Sequence, residues 1–169
     1  PAHSVAIDDT HPPEPDMSIA SRLTTLLFTA LVATASIAQE HGTRDEAKAL
    51  VGAALAHVAK VGKDQAFKDF TADRASWTKK DLYVFAQDFQ GTILAHGAND
   101  KLVGKNLIDM KDQNGKPFAR ELIDVGSKKG EGWVDYDWAH PVTRKSEAKS
   151  SFVKRIPGFD GIVVVGFYR

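Results

Sequence analysis

The chain has 169 residues, of which 43% are apolar, and its 22 Lys and Arg residues balance 22 Asp and Glu residues. This length and composition favour one globular domain with a substantial hydrophobic core over a disordered chain. The absence of cysteine excludes a disulfide framework and thiolate metal sites. Zero net charge argues against a nucleic-acid partner, because such proteins carry excess Lys and Arg to replace phosphate counterions.

Residues 17–38 have the pattern of a secretory signal peptide. A short segment that contains Arg22 precedes an uncharged stretch, 23–38, which is shorter than the roughly 20 residues that a membrane-spanning helix needs. Small residues at positions 36 and 38 match the specificity of signal peptidase, so cleavage is expected after Ala38. Residues 1–16 contain four prolines and neither Lys nor Arg, and we interpret them as an upstream remnant.

The folded domain is therefore predicted to comprise residues 39–169 and to lie outside the cytoplasm. A protein exported without cysteine needs no oxidative folding, which suits a bacterial periplasm. We expect a periplasmic or secreted protein if the leader is cleaved, and a membrane-anchored one if it is not.

Helical periodicity dominates the first part of this domain. Thr43 and Glu46 have the spacing of a capping box, and apolar residues then recur at intervals of three and four as far as Val61. Gly62 is predicted to end this amphipathic helix. A second, shorter helix is expected to follow with Asp64 as its N-cap.

Strand patterns dominate the rest of the chain. A short helix is expected from Phe118 to Val125, ending at Gly126, and the hairpin-linked strands around it predict an α+β domain with one antiparallel sheet. The predicted strands span residues 82–87, 92–96, 132–138, 149–155 and 162–168.

A family resemblance rests on five segments: DLYVFAQDFQGTILAH (81–96), LVGKNLIDMKDQNGKPFARELI (102–123), GWVDYDWAHPVT (132–143), KSSFVKR (149–155) and GIVVVGFY (161–168). In order and spacing they resemble the single Cache domain, type 2, of bacterial extracytoplasmic sensors. The resemblance covers nearly all of residues 43–169. It implies a PAS-like fold in which a five-stranded antiparallel sheet lies behind a long N-terminal amphipathic helix.

The same resemblance implies a sensor function. Members of this family usually bind small ligands, often carboxylates or amino-acid-like molecules, outside the cytoplasmic membrane. Most relatives lie between two membrane spans and feed a chemoreceptor, kinase or cyclase module. Here the last predicted strand is followed only by Arg169, so the expectation is a free-standing domain that presents its ligand to a membrane receptor or kinase.

Two neighbouring strands carry the best candidates for ligand contact. Side chains alternate across a strand, so Tyr136 and Trp138 share one face, as do Lys149 and Ser151 on the next strand. If these faces coincide, two aromatic rings, a hydroxyl and an ammonium group converge, which suits a small organic anion. The resemblance places Lys149 and the aromatic strand beside the ligand site, and a solvated edge lysine is the alternative.

Three further residues are candidates for ligand contact, and each has a structural alternative, which is the commoner role for a lone histidine such as His96. Tyr83 adds a hydroxyl to the pocket or serves packing alone, and His96, expected on the same face as Leu94, is a ligand contact or a structural residue. Arg120 offers a bidentate guanidinium to a carboxylate, or else forms a surface pair with Asp124.

Signatures of enzymes, cofactors and metals are missing from the sequence. Neither H-E-x-x-H nor G-x-S-x-G occurs, and the histidines lack the spacing of a local metal site. Residues 108–115, IDMKDQNG, resemble a calcium loop but miss its acidic spacing. We therefore predict no catalytic residue, no cofactor and no metal ligand, although a site assembled from distant residues stays open.

Three functions are compatible with these observations. The leading one is a non-catalytic sensor domain that binds a small, carboxylate-like molecule and acts in signal transduction, as in chemotaxis. The second is an interaction module with a vestigial pocket, which forms a homodimer or docks on a receptor through its long helix. An exposed apolar stripe on that helix would favour it. The third is a small periplasmic enzyme.

Overall fold

One antiparallel sheet organises residues 41–169, the part of the chain that the computed structural model describes. The predicted leader at 17–38 and the remnant at 1–16 lie outside the described residues. The helices are α1 (Arg44–Val61), α2 (Lys63–Ala72), α3 (Arg74–Trp77) and α4 (Phe118–Asp124), and the strands are β1 (Thr78–Lys79), β2 (Leu82–Asp88), β3 (Ile93–His96), β4 (Glu131–Ala139), β5 (Ser146–Arg155) and β6 (Gly161–Tyr168).

Helix α1 begins and ends where the sequence predicts. The side chain of Thr43 accepts a hydrogen bond from the Glu46 N–H at 3.2 Å, and the Glu46 carboxylate accepts one from the Thr43 N–H at 3.0 Å. Gly62 ends the helix with a φ of 82°, which favours glycine. The buried face of the helix consists of Ala47, Val51 and Ala54.

Helix α2 differs from its prediction at the N-terminus. It begins at Lys63 with no side-chain cap, and Asp64 lies in its first turn, where it pairs with Lys63. The additional helix α3 was not predicted, and the Asp73 side chain caps it by accepting the Ser76 N–H. Among residues 41–169, the helices are too short or too polar to cross a membrane.

The sheet runs in the order β1-β2-β6-β5-β4, and β3 pairs with β2 beside β1. The five predicted strands are confirmed, and the two-residue β1 adds a short sixth strand. Strand β5 begins at Ser146, earlier than predicted, because its pairing with β4 extends to Ala139. This pairing places Lys149 directly opposite Tyr136, so the two candidate strands are neighbours.

Two hydrophobic clusters cover the two faces of the sheet. The helix-side cluster joins Leu82 and Val84 of β2 to side chains of α1, α2 and α3, including Trp77. The cavity-side cluster joins Tyr83 and Phe85 of β2 to side chains of α4. The alternation predicted for β2 is therefore confirmed, and it determines which side chains can reach a ligand.

Helix α4 continues beyond its predicted end. After Asp124 the chain makes a π-helical turn over Val125–Lys129, and Gly130 ends it. The prediction that Gly126 ends the helix is wrong, because this glycine serves close packing. A Cβ atom there would lie 2.2 Å from Cγ2 of Ile162 on β6, so only glycine lets this turn approach the sheet.

Strand β3 departs from simple alternation. Its pairing with β2 shifts register between Ala86 and Gln87, which makes Leu94 the extra residue of a β-bulge. Leu94 consequently packs against the helix-side cluster, whereas His96 lies on the opposite face. The prediction that these two residues share a face is wrong, because the bulge reverses the side-chain direction.

Candidate functional site

A small cavity lies within the cavity-side cluster. Its volume is about 20 Å³, which accommodates a water molecule but not an organic ligand. A larger ligand therefore requires the lining side chains to move apart. The cavity is lined by Tyr83, Phe85, Gln87, Ile93, His96, Leu107, Phe118, Tyr136 and Trp138.

Lys149 is the most unusual residue beside this cavity. It is 0% exposed, and its Nζ has no hydrogen-bond partner within residues 41–169. The amine lies 3.9 Å from the ring centroid of Tyr83, a cavity residue, and 5.0 Å from that of Tyr168. Aromatic faces stabilise a cation only in part, so this amine retains unused hydrogen-bonding capacity next to the cavity.

The environment of Lys149 also changes its ionisation. Burial disfavours the charged ammonium and lowers the pKa of Lys149 to about 7, although the negative charge of Asp81 opposes the shift. The side chain is therefore divided between amine and ammonium at neutral pH. An anion bound beside it would favour the ammonium form and supply the missing partner.

Gln87 provides a second buried donor that lacks a partner. It is 1% exposed, it lines the cavity, and its Nε2 has no hydrogen-bond partner among the described residues. Gln87 was not among the residues predicted from the sequence to contact a ligand. The available signal was the alternation of β2, which places Gln87 on the same face as Tyr83 and Phe85. An amide donor in the cavity wall and an amine behind the Tyr83 ring thus both lack a hydrogen-bond partner among the described residues.

His96 is held as a neutral ring in the cavity wall. Its Nδ1 accepts hydrogen bonds from the N–H groups of Ala98 at 3.3 Å and Asn99 at 3.0 Å, which places the proton of the neutral ring on Nε2. Its ring stacks on that of Phe85. Burial, together with the nearby charge of Lys149, lowers the pKa of His96 to about 3. His96 thus has a structural role and also lines the cavity.

Acid is expected to destabilise the domain through His96. Its native pKa lies below the ordinary value of 6.5, so below pH 6.5 the unfolded chain binds a proton that the folded chain resists. In the variant His96→Asn, the amide oxygen can still accept the two turn N–H groups, but the residue does not titrate. Between pH 7 and pH 4, the difference in free energy of unfolding is expected to move by about 3 kcal/mol in favour of the variant.

This prediction is checked by urea unfolding of both proteins at a series of pH values. Carboxylates that titrate in both proteins contribute equally to the two free energies of unfolding, so their contributions cancel in the difference between the proteins. Curves of unfolding free energy that stay parallel from pH 7 to pH 4 would show that His96 is not held neutral.

Tyrosine hydroxyls form two hydrogen-bonded pairs around the site. The hydroxyl of Tyr136 lies 3.0 Å from the Ser151 hydroxyl, and that of Tyr83 lies 3.4 Å from the hydroxyl of Tyr168, which donates to the Ala139 carbonyl at 2.9 Å. Burial raises the pKa of Tyr83 and Tyr136 well above the ordinary value. These hydroxyls therefore stay protonated and can donate hydrogen bonds.

Arg120 lies away from this group of side chains. It is exposed on α4 and forms an ion pair with Asp109, and it is not among the residues that line the cavity. The expected surface partner, Asp124, pairs instead with Lys128. As an exposed ion pair, Arg120 and Asp109 contribute little to stability.

His41, Asp81 and His140 approach one another near the end of β4, with candidate ligand atoms within 4.8 Å. The N–H groups of Val142 and Thr143 donate to Nδ1 of His140 at 3.1 and 3.3 Å. A neutral His140 therefore carries its proton on Nε2, which leaves no lone pair for a metal on that nitrogen. The hydrogen bonding thus disfavours a metal at this cluster.

Asp81 instead anchors two separate segments of the chain. Its buried carboxylate accepts hydrogen bonds from the N–H groups of Gly42 and Tyr168, the latter at 2.8 Å, and faces Nδ1 of His41 at 3.2 Å. It thereby ties the residues before α1 to the last strand. Tyr168 contacts Lys149 in turn, so this anchor borders the candidate site.

The structure brings together most, but not all, of the side chains that were predicted from the sequence to contact a ligand. Four of them line the cavity, and two lie directly behind it: Lys149 against the Tyr83 ring and Ser151 against the Tyr136 hydroxyl. Arg120 is the exception. The four nominated residues that line the cavity are Tyr83, His96, Tyr136 and Trp138, and the cavity residues that were missed are Phe85, Gln87, Ile93, Leu107 and Phe118.

The known proteins that this chain resembles include a sensor kinase and chemotaxis proteins. The sensor histidine kinase MctS of Rhizobium johnstonii is 33% identical over 89 residues, which are 53% of this chain and 19% of the kinase. The chain thus spans about a fifth of that curated relative's length. A methyl-accepting chemotaxis protein from Vibrio parahaemolyticus, whose crystal structure is known, is 26% identical with a TM-score of 0.63, over 73% of this chain and 86% of that one.

A second solved structure has the same fold. It is the periplasmic sensor domain of a chemotaxis protein, with 26% identity and a TM-score of 0.59, over 73% of this chain and 88% of that one. Residues 18–169 match the family model described as single Cache domain 2. The relatives support an extracytoplasmic sensor role. The chain therefore belongs to the single Cache domain 2 family.

Proposed function

We propose that this domain is a non-catalytic sensor that binds a small organic acid through Lys149. The observation that carries the proposal is the fully buried Nζ of Lys149, which has no hydrogen-bond partner within residues 41–169 and lies against a ring of the cavity wall. A buried amine without a counter-ion is costly. A carboxylate would offset this cost by forming a charge-assisted hydrogen bond.

The surroundings favour an acid with a short apolar tail. Phe85, Ile93 and Phe118 present an apolar wall to such a tail. The small cavity favours a compact ligand, because each added carbon requires further displacement of packed side chains. Signal transduction to a membrane receptor or kinase, and export after removal of the leader, belong to the same proposal.

The surface of α1 gives little support to the alternative of an interaction module. The larger apolar side chains of the helix, Leu50, Leu55 and Val58, pack against the helix-side cluster. Val61, at its C-terminal end, is exposed. The other apolar residues on the exposed side of α1 are small, namely Ala49, Ala53, Ala56 and Ala59. Because the larger apolar side chains point inward, the sensor function is the better supported one. A homodimer stays a prediction from the sequence, and the molar mass of the domain in solution would test it.

Titration calorimetry of the purified domain against acetate, propionate, succinate, glycine and propylamine tests the proposal. We expect heat from at least one acid and none from propylamine. The variant Lys149→Met should lower the affinity for that acid at least about 30-fold, because the loss of a buried charge-assisted partner costs roughly 2 kcal/mol or more.

Lys154→Met provides the matched control. Lys154 lies on the same strand but is exposed and paired with Glu131, so its loss should leave the affinity within about twofold. Equal affinity of the Lys149→Met protein and the wild type would exclude Lys149 as the acid-binding group. The absence of binding by every acid would contradict the proposed ligand class.

A further inference from the structure

The position of Lys149 suggests a reaction as well as an ion pair. Schiff-base lysines are amines that are buried, shielded from water and free of a carboxylate partner. Lys149 is 0% exposed, and its Nζ has neither a hydrogen bond nor an ion pair with a residue in 41–169. Lys154 of the same strand differs in both respects, because its side chain is exposed and ion-paired.

We infer that the Lys149 amine captures small carbonyl compounds, 2-oxo acids above all, as a reversible imine. The amine nitrogen adds to the carbonyl carbon, and its proton passes to the oxygen. The resulting carbinolamine then loses water as the C=N bond forms, and the imine nitrogen takes up one proton from solvent to become an iminium. Water is the only product released, and the reaction needs neither oxidant nor reductant.

The surroundings of Nζ suit this product. The rings of Tyr83 and Tyr168, whose centroids lie 3.9 and 5.0 Å from Nζ, present electron-rich faces that stabilise an iminium cation. Exclusion of water from a buried site favours the dehydrated imine over the carbinolamine. Burial also lowers the pKa of Lys149 to about 7, so a large share of the side chain is nucleophilic amine at neutral pH.

The preference for 2-oxo acids rests on the proposed acid-binding function. In an imine of such an acid, the carboxylate is attached directly to the iminium carbon, so the buried product carries one positive and one negative charge. The two charges offset one another, which lowers the cost of burying the cation. An aldehyde without a carboxylate would form an iminium whose positive charge has no counter-ion among the described side chains of the site.

Reductive trapping tests the inference. The domain is incubated with pyruvate, treated with borohydride, and analysed by intact-mass spectrometry and peptide mapping. We expect one reduced adduct per chain, located on Lys149, with at least about tenfold less on Lys154. Lys149→Arg retains a cation but cannot form an imine, and Lys149→Met guards against misfolding of the larger arginine; both should lose the adduct.

Competition with propionate, which has the carboxylate but no ketone, separates this inference from the proposed function. Protection of Lys149 by propionate, together with trapping by pyruvate, supports both. Propionate binding that depends on Lys149, without any trapped adduct, overturns the imine and leaves the acid sensor intact. Trapping without binding of any simple acid supports the imine and contradicts the acid sensor. Adducts spread evenly over the lysines overturn the imine.

Discussion

Replacement of Lys149 by methionine is expected to stabilise the domain by about 4 kcal/mol at pH 7. Burial holds the pKa of the native amine near 7, whereas the unfolded chain has the ordinary lysine value. As the pH falls from about 10 to 7, the unfolded chain therefore binds a proton that the folded chain does not, and stability decreases. Below pH 7 both states are protonated and the penalty is constant.

The pH dependence identifies the cause of this effect. Methionine is an apolar side chain of similar length, so it fills the space without a titratable group. The stability advantage of Lys149→Met should be full at pH 7 and should shrink towards pH 10. Denaturant unfolding at both pH values measures it. The control Lys154→Met should change stability by less than about 0.5 kcal/mol at either pH. A destabilised Lys149→Met protein at pH 7 would contradict the buried, unpaired amine.

Such a result would place Lys149 in the class of residues retained for function at the expense of stability. Methionine would produce a more stable protein that no longer binds an acid. Binding sites commonly show this trade-off, because a group that awaits a ligand is unsatisfied without it. The same residue would then account for both the stability gain and the loss of binding.

Loss of the Asp81 anchor is expected to be the most damaging single polar change. In Asp81→Ala, the N–H groups of Gly42 and Tyr168 lose their common acceptor in a buried position. Each unsatisfied buried donor costs about 1–3 kcal/mol, so a loss of roughly 3–5 kcal/mol in the free energy of unfolding is expected. Asp45→Ala, on the exposed first turn of α1, should cost less than about 1 kcal/mol.

A second measurement separates the anchor from a general structural defect. The charge of Asp81 opposes the lowering of the Lys149 pKa, so its removal should lower that pKa further. In Asp81→Asn, which preserves side-chain size, the Lys149 amine should therefore titrate at lower pH than in the wild type. A loss of stability below about 1 kcal/mol in Asp81→Ala would contradict the anchoring role.

Local rules predicted much of the fold. The capping box at Thr43, the terminating glycine at position 62 and the alternation along β2 each depend on neighbouring residues, and each is confirmed. The predictions failed where the role of a residue depends on contacts with segments that are distant in the sequence. Gly126 is a glycine because β6 lies against it, and Leu94 is a bulged residue because β3 must pair with β2. Neither cause is visible in the local sequence.

The candidate site could be predicted only in part for the same reason. Alternation brought Tyr136, Trp138 and Lys149 to one face, but it could not show that Lys149 is fully buried and unpaired. That property depends on rings from two other strands, Tyr83 and Phe85 of β2 and Tyr168 of β6. Similarly, Arg120 has the chemistry of a carboxylate clamp, and only the fold shows that its partner is Asp109.

The most direct test of the account is the ionisation of Lys149 itself, followed by NMR of the domain labelled with ¹³C at lysine Cε. The Lys149 signal is assigned by its absence in Lys149→Arg. In the free protein we expect this signal to titrate with a pKa of about 7, and saturation with an acid that binds should raise that pKa. Titration at the ordinary lysine value, unchanged by acetate or propionate, would contradict the central claim that a buried, unpaired amine awaits an acid.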